Sequence, residues 1–582
     1  MRKSRFIAAL CAVLMLLCMG QTAAQAAVFY SDVRVLLSLG RQKSLDFTPV
    51  GNFVLKEDPS LALGNDQLTV TVVGARVSLQ VGGKTITGPS LTLKSGTYGG
   101  TADYIRLRNS THGTCTYLGD ITFDVSGGNL RAVNTLPIEQ YLYGVVPHEM
   151  SNLFPVDALK AQAVCARGYA ISKCYSNRNN AYDILDTSQD QVYRGYASAN
   201  TRAIAAVNAT RGQVLSYNEN VIEAFYAASN GGQTEKTGNV WRDDLPYYAM
   251  VDDPFDLLNK SSLEEKSFIP EEYTEKTIRL MDADVLFKLR QAASKAVGGE
   301  TTLLATLDAV PKEPSYDEPS RSYTKADVTL LVQYSEDGQE KTGQVTVTLE
   351  FDGLRFGSGE NVLGSIGASR RTLRMQGVER GTYVRGAEDY SGWYLTSRRY
   401  GHGIGLSQRG AQERARAAQP YTEILSFYYV GTTLITVGTY ESAPKISSST
   451  YRVSKAGISG IPIGTSAEQF LAKLSSEGSL RVLTARGAKA SDSVATGYVV
   501  RVSYNENTTF FDLPLIVYGD LTGDGSIKQE DIDALQNHLL RATPLSGVRL
   551  SAADVNHDGE VDVRDLLLLI RHVNADAEIA LK

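Results

Sequence analysis

The sequence predicts an α+β fold: a large, mixed, strand-rich domain around one key helix, a small β-rich module, and a small all-α domain at the C-terminal end. Three observations predict it. From Val28 to about Leu130, short apolar runs alternate with Gly, Ser, Thr and Asn, as in QLTVTVVGARVSLQVGG, the pattern of strands and turns. An alanine-rich, proline-started run, FPVDALKAQAVCARGYA, then reads as a long helix. Two matching acidic segments, each followed by an amphipathic run, close the chain.

Length and composition set the outer bounds. At 582 residues several domains are expected, and 43% hydrophobic with 21% charged residues describes ordinary globular cores. A net charge of −6 argues against a general nucleic-acid binder, which needs a basic face. Residues 1–27 read as a secretory signal peptide. Arg2, Lys3 and Arg5 precede the apolar run Phe6 to Met19, and Ala24-Gln25-Ala26 offers a small-x-small cleavage site. The apolar run falls short of the roughly 20 residues that a membrane span requires. Cys11 and Cys18 each follow a leucine, which speaks against lipoprotein processing. The mature chain is therefore expected to be secreted, to the cell envelope or beyond. It keeps Cys115, Cys165 and Cys174. If one helix carries the last two, about 1.5 Å of rise per residue holds them about 13 Å apart, too far for a disulfide.

Taken in order, residues 28–437 form the large domain. Its strands lead to VVPHEM and the helix after Pro155, where Ala158, Ala161, Ala163, Ala166 and Ala170 let a neighbour approach closely. A charged stretch near 256–325 reads as an insertion with its own helix at 283–296. Strands resume at ADVTLLVQY and GQVTVTLEF, and a second helical zone follows GHGIGLSQRG and ends near Tyr429. Residues 438–450, with ESAPKISSST, read as a linker rich in Ser and Pro. Beyond it, 451–517 reads as a strand-rich module with one helix, SAEQFLAKLSS.

The segment 518–574 holds an internal repeat at an offset of 34 residues: DLTGDGSIKQED from Asp520 and DVNHDGEVDVRD from Asp554. Side-chain oxygens stand at loop positions 1, 3, 5 and 12: Asp520, Thr522, Asp524 and Asp531, then Asp554, Asn556, Asp558 and Asp565. Ser526 and Glu560 complete the candidate ligand sets. Gly525 and Gly559 occupy position 6, where a calcium loop turns sharply. One such loop is a weak signal; two in register, each followed by an amphipathic helix, are a strong one. Position 12 is Asp rather than Glu, and a full preceding helix is missing. Both features resemble the type I dockerin, which docks onto cohesin domains of a scaffold protein. The resemblance implies two calcium ions and a cohesin-bearing partner.

Glu149 raises the main chemical question. The zinc-protease spacing His-Glu-x-x-His fails, because Asn152 stands where the second histidine belongs. An acid at a helix mouth also suits the helix dipole by about 0.3–1 kcal/mol. The stretches NTLPIEQYLYGVVPHEM, FPVDALKAQAVCARGYA, DTSQDQVYRGY, YAASNGGQTE, DDLPYYAMVDDPFD, GHGIGLSQRGAQ and ILSFYYVGTTL occur in that order. Together they resemble the stage II sporulation protein D (SpoIID/LytB) family across roughly 28–437.

The resemblance implies a peptidoglycan lytic transglycosylase that cleaves glycan strands, preferring those stripped of stem peptides. The family's catalytic glutamate lies in its EM dipeptide, here Glu149. One carboxyl suffices where a glycosidase usually needs two, because the sugar's own 6-hydroxyl closes a 1,6-anhydro ring. Such an acid needs a raised pKa, for which Met150, Leu153 and Phe154 are the candidate apolar wall. Lys160, Gln162, Arg167, Tyr169, Gln191, Tyr193, Ser229 and Thr234 are candidates for hydrogen bonds to the sugar, an interior polar role remaining equally open for each. His402 either lines the cleft or organises its glycine turn. The cysteine/histidine zinc cluster of some relatives has no counterpart here, so no zinc is expected. Two other functions stay open: a non-catalytic, wall-binding enhancer of a partner amidase, and a scaffold component whose large domain only adheres to the wall.

Overall fold

The computed structural model describes residues 32–581, apart from 178–179, 219, 242, 260–264, 313–322, 324, 351–374, 398–400, 439–442, 486–487, 506–508, 541–544 and 546. The secretory signal expected at 1–27 lies outside the described residues. The chain divides into two compact units: Phe225–Gly431, and the residues before and after it. Strands and helices are mixed throughout, as the α+β reading expects.

In the first unit the alternating N-terminal segments form two sheets. One runs Ile184–Leu185, Asp32–Leu36, Asn129–Pro137, Asp120–Ser126, Ser90–Ser95, Phe53–Leu55 and Asp58–Leu63. The other runs Gly113–Tyr117, Tyr104–Asn109, Ser44–Val50, Leu68–Val73, Arg76–Val81 and Lys84–Gly88. Alternate side chains turn inward, so Val33, Val35, Leu79, Leu91 and Leu93 are buried. Phe47 of one sheet meets Phe123 of the other, ring centroids 5.3 Å apart. The quoted run QLTVTVVGARVSLQVGG is a hairpin, Val73 pairing Arg76 across Gly74, whose φ of +62° suits a two-residue turn.

Three helices follow: α1 (Ile138–Glu149), α2 (Val156–Ser176) and α3 (Thr201–Ala209). Pro155 caps α2 from just outside its first turn. All five alanines named above are fully buried, and a Cβ on Gly168 would sit 3.1 Å from the Ile222 carbonyl oxygen. Small side chains thus let α2 run through the core.

A third sheet changes the expected domain layout. It contains β1 (Gln213–Tyr217), β2 (Thr433–Val437), β3 (Ser479–Leu483), β4 (Val499–Tyr504) and β5 (Thr509–Pro514), in the order β1-β2-β5-β4-β3, with the short strand Asn220–Val221 on the outer edge of β1. Strands β2 and β5 pair in parallel, Thr436 opposite Thr509, and the Gly438 N–H donates to the Phe510 carbonyl at 2.7 Å. The residues on either side of the expected linker therefore share one sheet. The linker itself is packed where it is described. Ala443 is buried, Ser447 and Ser475 exchange main-chain bonds of 2.9 Å, and the Ser448 hydroxyl donates to the Lys473 carbonyl. The chain ends in α4 (Gln529–Leu539), α5 (Gly547–Ala553) and α6 (Val563–Val573), around a core of Leu521, Ile532, Leu535, Val555 and Leu569.

In the second unit the insertion is longer than expected. Helix Ala283–Val297 forms where its pattern predicts and ends at left-handed Gly298. It buries Val285, Leu289 and Ala293 in one core with Val328, Leu330, Val332, Trp393 and Leu395. The strands ADVTLLVQY and GQVTVTLEF, expected to resume the main domain, therefore belong to the insertion. Its elements run to the strand Glu388–Ser397. After them come helices Gln408–Arg416, capped by the Ser407 hydroxyl, and Tyr421–Tyr428.

Candidate active site and calcium loops

Glu149 is the last residue of α1, and Met150 turns extended behind it. The helix-dipole explanation is thereby corrected: an acid at a helix C-terminus faces the unfavourable end. A main-chain donor, the Val192 N–H, bonds the carboxyl, 2.8 Å from Oε1. Neighbouring His148 is half-buried, and burial, with Arg194 and His112 nearby, pushes its pKa down to about 4. It is neutral near pH 7.

The loop carrying Val192 is pinned on both sides. The Tyr141 hydroxyl donates to Gln191 Oε1 at 3.1 Å, Gln191 Nε2 donates to the Ala166 carbonyl, and the Tyr193 hydroxyl donates to Asn134 at 2.8 Å. The Arg194 N–H donates to the Gly144 carbonyl. Only glycine fits at 144, since a Cβ there would lie 2.5 Å from the Tyr193 ring and 2.6 Å from the Gly195 oxygen. Beside this loop the Tyr169 hydroxyl donates to Asp190 at 2.8 Å, and Lys173 lies 3.5 Å from Asp190 and 3.4 Å from Glu223. Burial raises the Tyr169 phenol, and the charges of Asp190, Glu223 and Glu149 raise it further. Burial also pushes Glu223 up, against the pull of Lys173.

Several expected sugar-binding residues serve the interior instead. Arg167 is buried and makes a two-pronged ion pair with Glu139 at 2.9 and 2.8 Å, with further bonds to the Gln213 and Val207 carbonyls. Its guanidinium has no face left for a ligand. Gln162, Gln191 and Tyr193 are buried too. In the second unit, the buried Ser229 hydroxyl donates to Asp256 at 2.7 Å and the Thr234 hydroxyl to the Ala249 carbonyl at 2.6 Å. Lys160 is half-buried and ion-paired with Asp157, and Tyr169 is occupied by Asp190. Of the proposed apolar wall, Met150 is buried, but Leu153 is 80% exposed and walls nothing within its unit. His402 is half-buried and accepts the Ile404 N–H on Nδ1 at 3.1 Å. Sequence reasoning missed Val192, whose contribution is main-chain and carries no residue signature. It also missed Asp190, Lys173 and Glu223.

The two C-terminal loops have the same internal geometry. Asp531 Oδ1 accepts the Leu521 and Thr522 N–H groups at 2.9 and 2.8 Å; Asp565 Oδ1 accepts those of Val555 and Asn556 at 3.0 and 3.2 Å. Asp520 accepts the N–H groups of Asp524 and Gly525, and Asp554 those of Asp558 and Gly559.

Residues 126–217 match the family model of the stage II sporulation protein, SpoIID, and residues 518–574 match that of the type I dockerin domain. The chain carries a SpoIID domain and a type I dockerin. An amidase enhancer of Bacillus subtilis (strain 168) is 32% identical over 311 residues, which cover 50% of this chain and 40% of that protein. An uncharacterized protein of Brachyspira hyodysenteriae is 39% identical over 136 residues, covering 23% of this chain and 37% of its own length. Stage II sporulation protein D of Bacillus subtilis (strain 168) is 26% identical over 322 residues, covering 52% of this chain and 75% of that protein. The chain thus spans less than half the length of the first two relatives.

The SpoIID match covers α1, α2 and the loop at Val192, and so includes Glu149 and its donor. Type I dockerins bind calcium, and the residues here fit it. Thr522 Oγ1, at loop position 3, is buried with no hydrogen-bond partner among the described residues. Asp520 is fully buried, and burial, with the Asp531 charge, pushes its pKa up to about 6. Gly525 and Gly559 take φ of +79° and +86°, the turn that position 6 requires. Bound calcium would supply the positive charge that buried carboxylates lack. No described helix is long and apolar enough to cross a membrane.

Proposed function

We propose that this protein is a secreted peptidoglycan lytic transglycosylase, joined through its dockerin to a cohesin-bearing scaffold. The observation that carries the reading is Glu149, a carboxyl at the end of α1 that accepts the Val192 main-chain N–H and lies within the residues matched to the SpoIID model. Such a group suits a reaction with one proton donor. The Glu149 carboxyl protonates the glycosidic oxygen as its bond to C1 breaks, and the 6-hydroxyl oxygen of the same sugar bonds to C1. The Glu149 carboxylate then takes the hydroxyl proton, so the acid is restored and no water is consumed. The glycan product ends in a 1,6-anhydro-muramyl unit. Residues 1–27 would direct export, and calcium in both loops would order the dockerin.

Glu149→Gln tests this. The amide oxygen still accepts the Val192 N–H, so the fold should hold, while proton transfer is lost. Release of anhydro-muramyl ends from peptide-free glycan, read by mass spectrometry, should fall about a hundredfold or more. Near-normal release by the variant would remove Glu149 from the mechanism. A second reading is favoured by the relative named amidase enhancer: the domain binds glycan and stimulates an amidase without cutting. In that case wild-type protein alone releases nothing, yet raises the rate of an added wall amidase.

A further inference from the structure

The second unit holds an aromatic surface that the acid–base chemistry does not use. Trp241 follows the short helix Thr237–Val240 and is 42% exposed. Its ring rests on Phe225, centroids 4.7 Å apart, and on His402 at 5.2 Å. Phe225 is backed by Tyr248 at 5.9 Å, and Tyr248 by Tyr429 at 5.8 Å, both of them buried. The exposed indole therefore stands on a stack of rings rooted in the core. The other tryptophan of the chain, Trp393, is buried in the insertion.

The His402 turn is built as tightly. Gly401, Gly403 and Gly405 all take positive φ, at +99°, +71° and +68°. A Cβ on Gly405 would lie 2.1 Å from the Phe225 carbonyl oxygen, so the turn is locked against the residue that supports Trp241. An N–H can only donate, so the Ile404 bond makes Nδ1 an acceptor and leaves the neutral ring's proton on Nε2. A broad apolar π face thus stands on rigid supports.

We propose that Trp241, braced by the Phe225 and His402 rings, is a stacking platform for one sugar ring of the glycan strand. A pyranose presents a face of C–H groups bordered by hydroxyl and acetamido groups. Such a face packs on an aromatic plane. The ligand rests on the function proposed above; the platform rests on the geometry.

The test uses the full-length Glu149→Gln chain, which binds without cutting, titrated calorimetrically with peptide-free glycan strands while tryptophan emission is also followed. Trp393 is buried, so a saturable blue shift reports Trp241. Adding Trp241→Ala should abolish the shift and weaken binding about tenfold or more, whereas Trp241→Phe, which keeps a ring, should bind within about threefold. In the otherwise wild-type chain, Trp241→Ala should raise KM and leave kcat nearly unchanged, the pattern of lost uniform binding. If the wild type cuts strands but Trp241→Ala leaves KM and binding where they were, the platform is wrong and the transglycosylase reading stands. If the wild type neither binds nor cuts strands, that reading falls, and the platform falls with it.

Discussion

The two dockerin loops are near copies in sequence and in internal hydrogen bonds, yet they live in different surroundings. Loop 1 lies under a roof. The Thr496 N–H of the preceding module donates to Asp520 Oδ2 at 2.8 Å, and Arg549 bonds the Thr522 carbonyl. Loop 2 is open: Asp554 is half-buried, and Asp558, Gly559 and Glu560 are exposed. Position 4 records the difference. It is Gly523 in loop 1, φ +78°, where a Cβ would lie 2.6 Å from the Thr496 carbonyl oxygen. In loop 2 it is His557, also left-handed at φ +62°, with its ring 4.2 Å from that of Tyr518 and Nε2 2.8 Å from the Ala580 oxygen. Local sequence sets the turn in both loops; the neighbour overhead decides what side chain the turn can carry.

Cutting away the roof should have the largest effect. A chain ending at Gly438 loses β3, β4 and β5 and leaves the edge of β2 bare, because β5 pairs with β2. A chain ending at Tyr518 keeps the whole sheet and loses only the dockerin. The shorter chain should melt at least about 5 °C lower than the longer one and tend to aggregate. Equal melting of the two would mean that the roof module folds independently of the SpoIID domain, and that the shared sheet contributes little.

Exchanging the position-4 residues should come next. Gly523→His drives a side chain against the Thr496 carbonyl at a strained φ, which should cost about 2–4 kcal/mol. His557→Gly gives up the Tyr518 contact but relieves a left-handed non-glycine residue, so the net change should stay within about 1 kcal/mol. Thermal unfolding in calcium reads both. Equal costs would mean that the roof does not press on loop 1 in solution.

The same contrast explains what was legible beforehand. The loops were legible because their chemistry is spaced within twelve residues, and the insertion helix because its apolar period is local. Glu149 could be singled out by its place before α2. The roles of Arg167, Gln191, Tyr193, Ser229 and Thr234 were not legible. A polar side chain on a helix or loop looks the same in sequence whether it meets a sugar or a buried partner, and the partner of Arg167 is Glu139, a helix away. The packed linker escaped for a similar reason. Ser and Pro content cannot show that Ser447 will pair with Ser475, or that β2 awaits a partner beyond the module's first strands.

The most selective effect is expected in calcium affinity. Thr496 braces loop 1 at Asp520 and the chain leading into it at Val517. Its N–H reaches Asp520, while its hydroxyl donates to the Val517 carbonyl at 2.9 Å and accepts the Val517 N–H at 3.0 Å. Thr496→Ala keeps the first and loses the second, leaving the buried Val517 N–H unpaired while the Val517 carbonyl still accepts the Asp520 N–H at 3.1 Å, a loss of about 1–3 kcal/mol. Calcium must order a loop as it binds, and the roof has already ordered loop 1. Calorimetric titration of the full chain should therefore show two steps, the tighter at loop 1. Asp558→Ala should delete the weaker step and so assign it to loop 2. Thr496→Ala should weaken the tighter step by about tenfold and leave the weaker one in place. If both steps moved together, the loops would bind calcium as one cooperative unit, and the difference in their surroundings would have no thermodynamic consequence.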